Sequence, residues 1–237
     1  MTDQAERYDR IADGYARWWA PVIAPAALPA LDLVAPTVAA GATRLLDVGT
    51  GTGTLSIALV RRWPQVRVIA IDASGEMIAK ASSEADRLLE PNRVRALREV
   101  RRVLRAGGVF GWVSWLADRA VWGPDVDYDD ALVAVGGEPR EWDDRPGDVP
   151  DPPAAAAQMR RAGYADVEAT ASELVHPFTI DGFVGFMFEF DEEDYISSMT
   201  ARKQARLETD LRARLARRSP AELALRLPTV AVRGIRR

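Results

Sequence analysis

The sequence predicts an α/β fold built on a parallel sheet, and three observations support that prediction. Residues 45–48 form an apolar run with the length of a short buried strand, and the pattern at 54–62 that follows is helical. A second apolar run, at 66–71, ends in Asp72. Between the first run and the helix stand three glycines at alternate positions, Gly49, Gly51 and Gly53. A strand, a helix and a second strand in this order form a β-α-β unit.

The glycine-rich turn and Asp72 together predict a nucleoside-type cofactor site at the carboxyl edge of the sheet. Glycine lacks Cβ, so it can turn sharply and let backbone N–H groups approach a ligand closely. An acid at the end of the next strand is placed to accept hydrogen bonds from both ribose hydroxyls. A dinucleotide fingerprint requires a glycine at position 54, where Thr54 stands. The pattern is instead D-x-G-x-G-x-G, beginning at Asp47; a glycine turn without a ligand is the alternative.

This pattern resembles that of the class I S-adenosylmethionine-dependent methyltransferases, most closely the small-molecule (type 11) group that includes the ubiquinone and menaquinone biosynthesis methyltransferases. Residues 98–108, which end in Gly107-Gly108, also resemble that family's helix and turn before its fifth strand, with Ala106 in place of the usual proline. The resemblance implies a Rossmann-like, doubly wound, mostly parallel sheet. It also implies an antiparallel C-terminal strand and a helical cap.

The resemblance further implies a cofactor and the residues that hold it. The cofactor is S-adenosylmethionine, with the glycines under its methionine part and Asp72 on its ribose. The implied site draws on the turn, the two strand ends and their neighbours: Tyr15, Asp47, Gly49, Thr50, Gly51, Gly53, Asp72, Ala73 and Met77.

Residues 1–40 are predicted to form an N-terminal helical lid over a methyltransferase domain at 41–237. Prolines interrupt the helical pattern, and an apolar face with spacings of three and four is formed by Tyr8, Ile11, Tyr15, Trp18 and Trp19. In the resembling family a comparable helix, often with the pattern seen at Tyr8-Asp9, lies over the cofactor and the acceptor. We therefore place Tyr15 and Trp19 in the pocket, with ordinary core packing as the alternative.

The interval between Asp72 and Gly107 is too short for the family pattern. Ser74 is predicted as a helix N-cap, with Met77 on the buried side of that helix, and a further helical pattern runs to about residue 104. No strand-like run lies between them, whereas the family has its third and fourth strands there, about 30 residues with their helix and loops. Either the deletion is real or a stretch around 82–92 is omitted. We expect the natural polypeptide to carry extra residues between Asp72 and Arg98.

The second half of the chain predicts the acceptor pocket. A strand at 109–115, a loop at 136–153, a helix at 152–162 and a strand near 167–175 precede a helical cap at about 178–220 and a last strand at 225–234. The cofactor occupies the sheet edge, so the lid and the cap remain to enclose the acceptor. Core packing is the alternative for each candidate: Trp18, Trp19, Trp115, Phe183, Phe186 and Met187.

Composition agrees with a soluble globular enzyme. The formal net charge of −4 argues against a nucleic-acid binder, and no cysteine is present for a thiolate nucleophile or a metal. The polar N-terminus and short apolar runs predict no signal peptide and no membrane partner, hence a cytoplasmic location. Lys80 and Lys203 are the only lysines in an arginine-rich chain, which suggests a bacterial source. Whether the chain forms a homodimer stays open.

The catalytic residue stays unknown, and the only histidine, His176, is a candidate general base towards an acceptor hydroxyl. It stands before Pro177 at a predicted strand end, where a structural role is the alternative. No nucleophile elbow accompanies it, and the sequence offers no histidine-cysteine cluster for a metal, so we expect no metal site.

These observations predict an enzyme that transfers the methyl group of S-adenosylmethionine to a small organic acceptor, on oxygen, nitrogen or carbon. Two alternatives remain. A non-catalytic or degenerate binding protein with the same fold is favoured by the short interval after Asp72. An NAD(P)-dependent oxidoreductase would use the same β-α-β unit, but Thr54 counts against it.

Overall fold

Four helical segments precede the first strand. A computed structural model describes residues 2–77, 100–117, 121–139 and 149–237. Helix α1 passes directly into a five-residue π-helix, here called the first π-turn, and two further helices follow: Thr2–Gly14 (α1), Tyr15–Trp19 (first π-turn), Ala20–Ala27 (α2) and Ala30–Ala39 (α3). The predicted helices of 1–40 are therefore present. Pro25 and Pro36 lie inside α2 and α3, and the chain changes helix at Pro29, the N-cap of α3.

The predicted β-α-β unit is confirmed. Strand β1 (Arg44–Val48) and strand β2 (Arg67–Ile71) pair in parallel, with Arg44 opposite Arg67 and Val48 opposite Ile71. Helix α4 (Thr54–Arg62) connects them and packs on β2. Its N-cap is Gly53, whose φ of 84° lies in the left-handed region that glycine tolerates best.

The remaining described strands form a second, antiparallel sheet. It comprises β3 (Val109–Trp115), β4 (Ala165–Pro177) and β5 (Ala224–Ile235) in the order β3-β5-β4. The C-terminal strand β5 thus lies between the other two and is antiparallel to both, which confirms the predicted antiparallel C-terminal strand. The predicted strand at 109–115 has the observed bounds, while β4 begins two residues earlier and ends two residues later than predicted.

The predicted α/β class is confirmed, but the described strands divide into two sheets instead of one. Among them, no pairing joins β1 or β2 to the β3-β5-β4 sheet. Helix α3 packs on β3 and β5 and also contacts α4, so helices connect the two sheets. The resemblance noted in the sequence implies that the third and fourth strands of the family would lie in the short interval after Asp72. Most of that interval, residues 78–99, lies outside the described part of the chain.

Helices complete the second half. One follows β3 and one precedes β4, and four helical segments lie between β4 and β5 where the cap is predicted: Gly123–Ala134 (α5), Pro152–Arg161 (α6), Ile180–Phe186 (α7), Met187–Asp191 (second π-turn), Glu193–Ser197 (α8) and Ala201–Leu215 (α9). Side-chain oxygens cap three of them, because Asp151, Thr179 and Thr200 each accept a hydrogen bond from the backbone N–H three residues later. The predicted loop at 136–153 is described only at its two ends.

Among the described residues, two hydrophobic clusters form the core. The larger one packs α5, α7 and α9 together, with Tyr128, Phe183 and Leu211 fully buried. The smaller one packs α6 on the antiparallel sheet, where Met159 meets Val230 and Val232. Among the described residues no single helix is long and apolar enough to cross a membrane, and one bent pair, Tyr8–Ala27 with Ala30–Ala39, meets that test on length and composition only.

Candidate functional site

The turn between β1 and α4, here called the glycine loop (residues 49–53), folds back over the end of β2. Gly49, Gly51 and Gly53 all have positive φ values, 75°, 54° and 84°, which other residues rarely adopt. The N–H groups of Gly49 and Thr50 donate to the carbonyl of Ile71, at 2.7 and 3.1 Å. The loop is thereby held where both parallel strands end.

A buried carboxylate at the end of β1 holds the glycine loop through hydrogen bonds. Asp47, at the end of β1, is 8% exposed. Its Oδ2 accepts hydrogen bonds from Thr50 Oγ1 at 2.9 Å and from Ser56 Oγ at 2.6 Å. These bonds tie strand, loop and helix α4 together, so the predicted site residues Asp47 and Thr50 shape the loop. Ser56 was not predicted, although its place in the first turn of the helix after a glycine motif is a usable signal.

Asp72 faces the glycine loop from the end of β2. Its Oδ2 accepts the Gly51 N–H at 2.8 Å, and its Oδ1 accepts the Ser74 N–H at 3.0 Å. The Met77 N–H donates to Ser74 Oγ at 3.0 Å, which confirms Ser74 as the predicted N-cap. Met77 itself is 1% exposed, on the buried side as predicted. The structure therefore brings the predicted ribose acid into direct contact with the glycine turn.

Tyr15 covers the glycine loop from the N-terminal side. Its hydroxyl lies 3.8 Å from the position that a Cβ on Gly51 would take. Burial raises the pKa of Tyr15 to about 12, and the nearby Tyr8 and Asp72 add to the rise. The side chain is therefore a neutral phenol at physiological pH. Tyr15, which the sequence analysis assigns to the pocket, thus lies beside the glycine loop.

An aromatic cluster extends from Tyr15 into the cap. Trp19 lies at the centre, with ring centroids 6.3 Å from Trp115, 5.6 Å from Phe186 and 6.4 Å from Phe190. Phe190 also contacts Tyr15 at 5.9 Å, so the cluster reaches the glycine loop. The structure thus brings together three of the predicted acceptor residues. Phe190 continues the three- and four-residue spacing of Phe183, Phe186 and Met187, the apolar face that the sequence predicts for the cap.

The other predicted acceptor residues lie elsewhere. Phe183 and Met187 are fully buried inside the cap, and Phe183 packs against Trp122 and Phe178. Their placement agrees with the alternative of core packing, because helical spacing turns their side chains toward α5 and α9. The Trp18 indole N–H donates to Glu189 Oε2 at 2.9 Å, so this residue links the lid to the cap.

His176 lies within β4, opposite Leu225. Its ring contacts Phe178 edge-on at 4.6 Å, and burial lowers the pKa of the imidazole. Among the described ring contacts it reaches the aromatic cluster only through Phe178, which touches Phe186. Across the described residues there is no group of three or more histidines or acids that could hold a metal ion.

The segment that contains this site matches a known family. Residues 45–89, which hold the glycine loop and Asp72, match the methyltransferase domain family. Over this segment the chain is similar to methyltransferases. The match covers the β-α-β unit on which the resemblance of the sequence rested, and it ends before the second sheet begins.

The chain is similar in sequence to curated relatives over part of its length. It is 36% identical to trans-aconitate 2-methyltransferase of Rhodopseudomonas palustris over 88 residues, which cover 36% of this chain and 34% of that protein. It is 51% identical to the malonyl-[acyl-carrier protein] O-methyltransferase of Xylella fastidiosa over 37 residues, 16% of this chain and 12% of that protein. The chain therefore spans about a third or less of the length of these relatives.

A solved structure supports the fold over most of the chain. A protein of Anabaena variabilis, described as a methyltransferase from an antibiotic biosynthesis pathway, matches 86% of this chain and 97% of its own, with a TM-score of 0.54 and 13% identity. At that identity the similarity supports the fold alone. The methyltransferase fold thus extends beyond residues 45–89 into the antiparallel sheet and the cap.

Proposed function

We propose that the protein transfers the sulfonium methyl group of S-adenosylmethionine to a small organic acceptor. The observation that carries this proposal is the hydrogen bond from the Gly51 N–H to Asp72. It joins a left-handed glycine turn to the acid at the end of the next strand, inside a segment that matches a methyltransferase family. Both halves of the proposed cofactor site are therefore in contact.

The residues at this site fit the cofactor. A Cβ added at Gly49 would meet no other atom within 4 Å, so there is open space above the loop. Each Asp72 oxygen accepts one backbone N–H and has a second lone pair for a ribose hydroxyl. We assign the methionine part to the glycine loop and the ribose to Asp72. Tyr15, Ala73 and Met77 complete the proposed site.

The bound cofactor would supply an electrophilic methyl group, so the protein needs neither a nucleophile of its own nor a dedicated base. What it must do is hold the acceptor in line and exclude water. The aromatic cluster supplies apolar walls next to the glycine loop, and the phenol of Tyr15 stays neutral there. We propose that the acceptor is apolar or aromatic and binds against Trp19 and Phe190.

Cofactor binding tests the proposal directly. We expect S-adenosylhomocysteine to bind the parent protein in isothermal titration calorimetry. Asp72→Ala should weaken that binding by about tenfold or more, because two charge-assisted hydrogen bonds to the ribose are lost. Asp194→Ala, which removes an exposed carboxylate from the cap, is the matched control and should bind like the parent. Absence of heat with the parent would refute the function, and parent-like binding by Asp72→Ala would refute the role of that residue.

A second candidate function is a non-catalytic binding protein with the same fold. The observation that favours it is the division of the described strands into two sheets. Turnover of S-adenosylmethionine with a panel of phenols, quinones and amines separates the two candidates. Methylation of any member supports the enzyme, whereas good cofactor binding with no turnover supports the binder. The family match and Thr54 both disfavour the oxidoreductase alternative.

The remaining expectations stay proposals. We propose a cytoplasmic location, a bacterial source and no nucleic-acid or membrane partner, with a homodimer as an open alternative. The net charge of −4 supports the expectation on nucleic acid. His176 as a base is a weaker proposal, because its described contacts lie in β4 and beside Phe178.

A further inference from the structure

Asp9, on helix α1, joins the lid to the end of β2. Its Oδ1 accepts a hydrogen bond from Ser74 Oγ at 2.5 Å and another from the Glu76 N–H at 3.1 Å. Both donors lie just beyond Asp72, more than sixty positions from Asp9 along the chain. These contacts hold the pKa of the Asp9 carboxyl below its ordinary value, the Ser74 bond contributing most. The carboxylate therefore stays charged at neutral pH.

Ser74 connects the carboxylates of Asp9 and Asp72. Its hydroxyl donates to Asp9 and accepts the Met77 N–H, while its backbone N–H donates to Asp72 Oδ1. The side chain is 1% exposed, so water does not compete for these bonds. One buried residue thus holds the proposed ribose acid and the lid in fixed relation to each other.

Helix α1 transmits this attachment to Tyr15. The helix runs from Asp9 into the first π-turn without a break in helical structure. At its end Gly14 packs so closely on the second π-turn that an added Cβ would lie 2.3 Å from the Glu189 carbonyl oxygen. The Tyr8 ring supports Tyr15 edge-on at 6.2 Å. The position of Tyr15 above Gly51 therefore depends on two contacts of helix α1, that of Asp9 with the end of β2 and that of Gly14 with the second π-turn.

We propose that Asp9 is a positioning residue, which fastens the lid to the end of β2 through Ser74 and Glu76 and thereby holds Tyr15 against the glycine loop. Asp9 acts through Tyr15 and makes no contact of its own with the glycine loop among the described hydrogen bonds. This proposal rests on the proposed function only where it concerns cofactor affinity. The attachment itself belongs to the protein without ligand.

Hydrogen exchange tests the attachment without any cofactor. In Asp9→Ala we expect backbone amides of residues 8–19 to exchange about five- to tenfold faster than in the parent, since two charge-assisted hydrogen bonds are lost. Asp9→Asn keeps the shape and one acceptor oxygen, and should give an intermediate increase. Arg10→Ala, an exposed neighbour on the same helix, is the matched control and should exchange like the parent. Parent-like exchange in Asp9→Ala would overturn the proposal.

A double-mutant cycle tests the action through Tyr15. We expect Asp9→Ala to weaken S-adenosylhomocysteine binding about fivefold in the parent and less than twofold in a Tyr15→Ala background. Equal losses in both backgrounds would show that Asp9 acts independently of Tyr15 and would overturn the positioning role. If the parent binds no S-adenosylhomocysteine, the proposed function fails, and the exchange measurement alone decides whether Asp9 fastens the lid.

Discussion

At the scale of single residues, the polar groups of the site hold one another in place. Asp47 is a buried acid, and burying an unpaired carboxylate would cost several kcal/mol, roughly. Hydrogen bonds from the hydroxyl groups of Thr50 and Ser56 offset that cost. Asp72 is held in the same way by two backbone N–H groups. The site is thus ordered through its own hydrogen bonds.

The single histidine gives a prediction for pH dependence. Burial lowers the pKa of His176 below its ordinary value of 6.5, so the unfolded chain binds a proton more readily than the folded protein. The stability that this group contributes is therefore present above pH 6.5 and is lost as the pH falls through the lowered folded pKa. We expect the one imidazole signal in an NMR titration to have its midpoint below 6.5.

Urea unfolding of His176→Gln provides the control. Between pH 7.5 and 5.5 the free energy of unfolding should fall less steeply with decreasing pH in this variant than in the parent, because the titrating group is gone. A midpoint at or above 6.5 in the parent, or equal slopes in the two proteins, would contradict the prediction.

At the scale of elements, two π-turns face each other between the lid and the cap. They contact one another, and they carry Tyr15, Trp19 and Phe190. An ion pair from Arg17 to Glu189, at 2.8 Å, also joins them, but the side chains are 66% and 49% exposed and such pairs add little stability. Glycines make the close approach possible, since a Cβ at Gly185 would clash with the Trp18 ring. π-helical turns are frequent at functional sites.

A pair of substitutions in the cap separates pocket residues from core residues. Phe183 is fully buried in the cap, so Phe183→Ala should lower the free energy of unfolding by about 3–5 kcal/mol. Phe190 is half-buried beside Tyr15 and Trp19. Phe190→Ala should cost only about 1 kcal/mol of stability but raise KM several-fold for any phenol, quinone or amine that the parent methylates.

Urea unfolding and steady-state kinetics measure these two effects. An unchanged KM in Phe190→Ala would show that Phe190 of the cap does not contribute to acceptor binding. Exchange of the whole cap for that of a relative provides the broader test, and unchanged acceptor choice after the exchange would likewise exclude the cap from acceptor recognition.

At the scale of the whole molecule, the described residues cover the β1-β2 sheet incompletely. Leu46 and Val48 of β1 and Ile69 of β2 lie on one face of the sheet by register, and they are 43%, 46% and 40% exposed. Parallel sheets are normally covered on both faces, because helices cross over each of them. An exposed apolar face next to the short interval supports the proposal that the natural protein carries further residues there.

Intact mass tests this proposal. We expect the polypeptide from its natural source to exceed the 26.0 kDa of this sequence by roughly 3 kDa, the mass of two strands, a helix and their loops. The added residues should map between Asp72 and Arg98, an interval that lies mostly outside the described residues. A mass near 26.0 kDa from a sample that unfolds cooperatively would show that the deletion is real.

The sequence by itself determined the β-α-β unit, the family of residues 45–89 and the main elements of the second half. These features depend on local signals: apolar runs of strand length, glycines at alternate positions and helical periodicity. The bounds of β3 and the N-cap role of Ser74 follow from such signals, because the interactions that determine them span only a few residues. The contact of Asp72 with the glycine turn follows from the parallel pairing of two neighbouring strands.

Only the tertiary structure decided which aromatic residues meet and how the lid is held. Phe183 and Phe190 have the same helical spacing, yet one is buried in the cap and the other lies against Tyr15. Asp9 meets Ser74 across 65 positions, and the strands divide into two sheets. Such contacts depend on how whole elements pack against one another. A periodic pattern identifies the apolar face of a helix but not the element that will cover it.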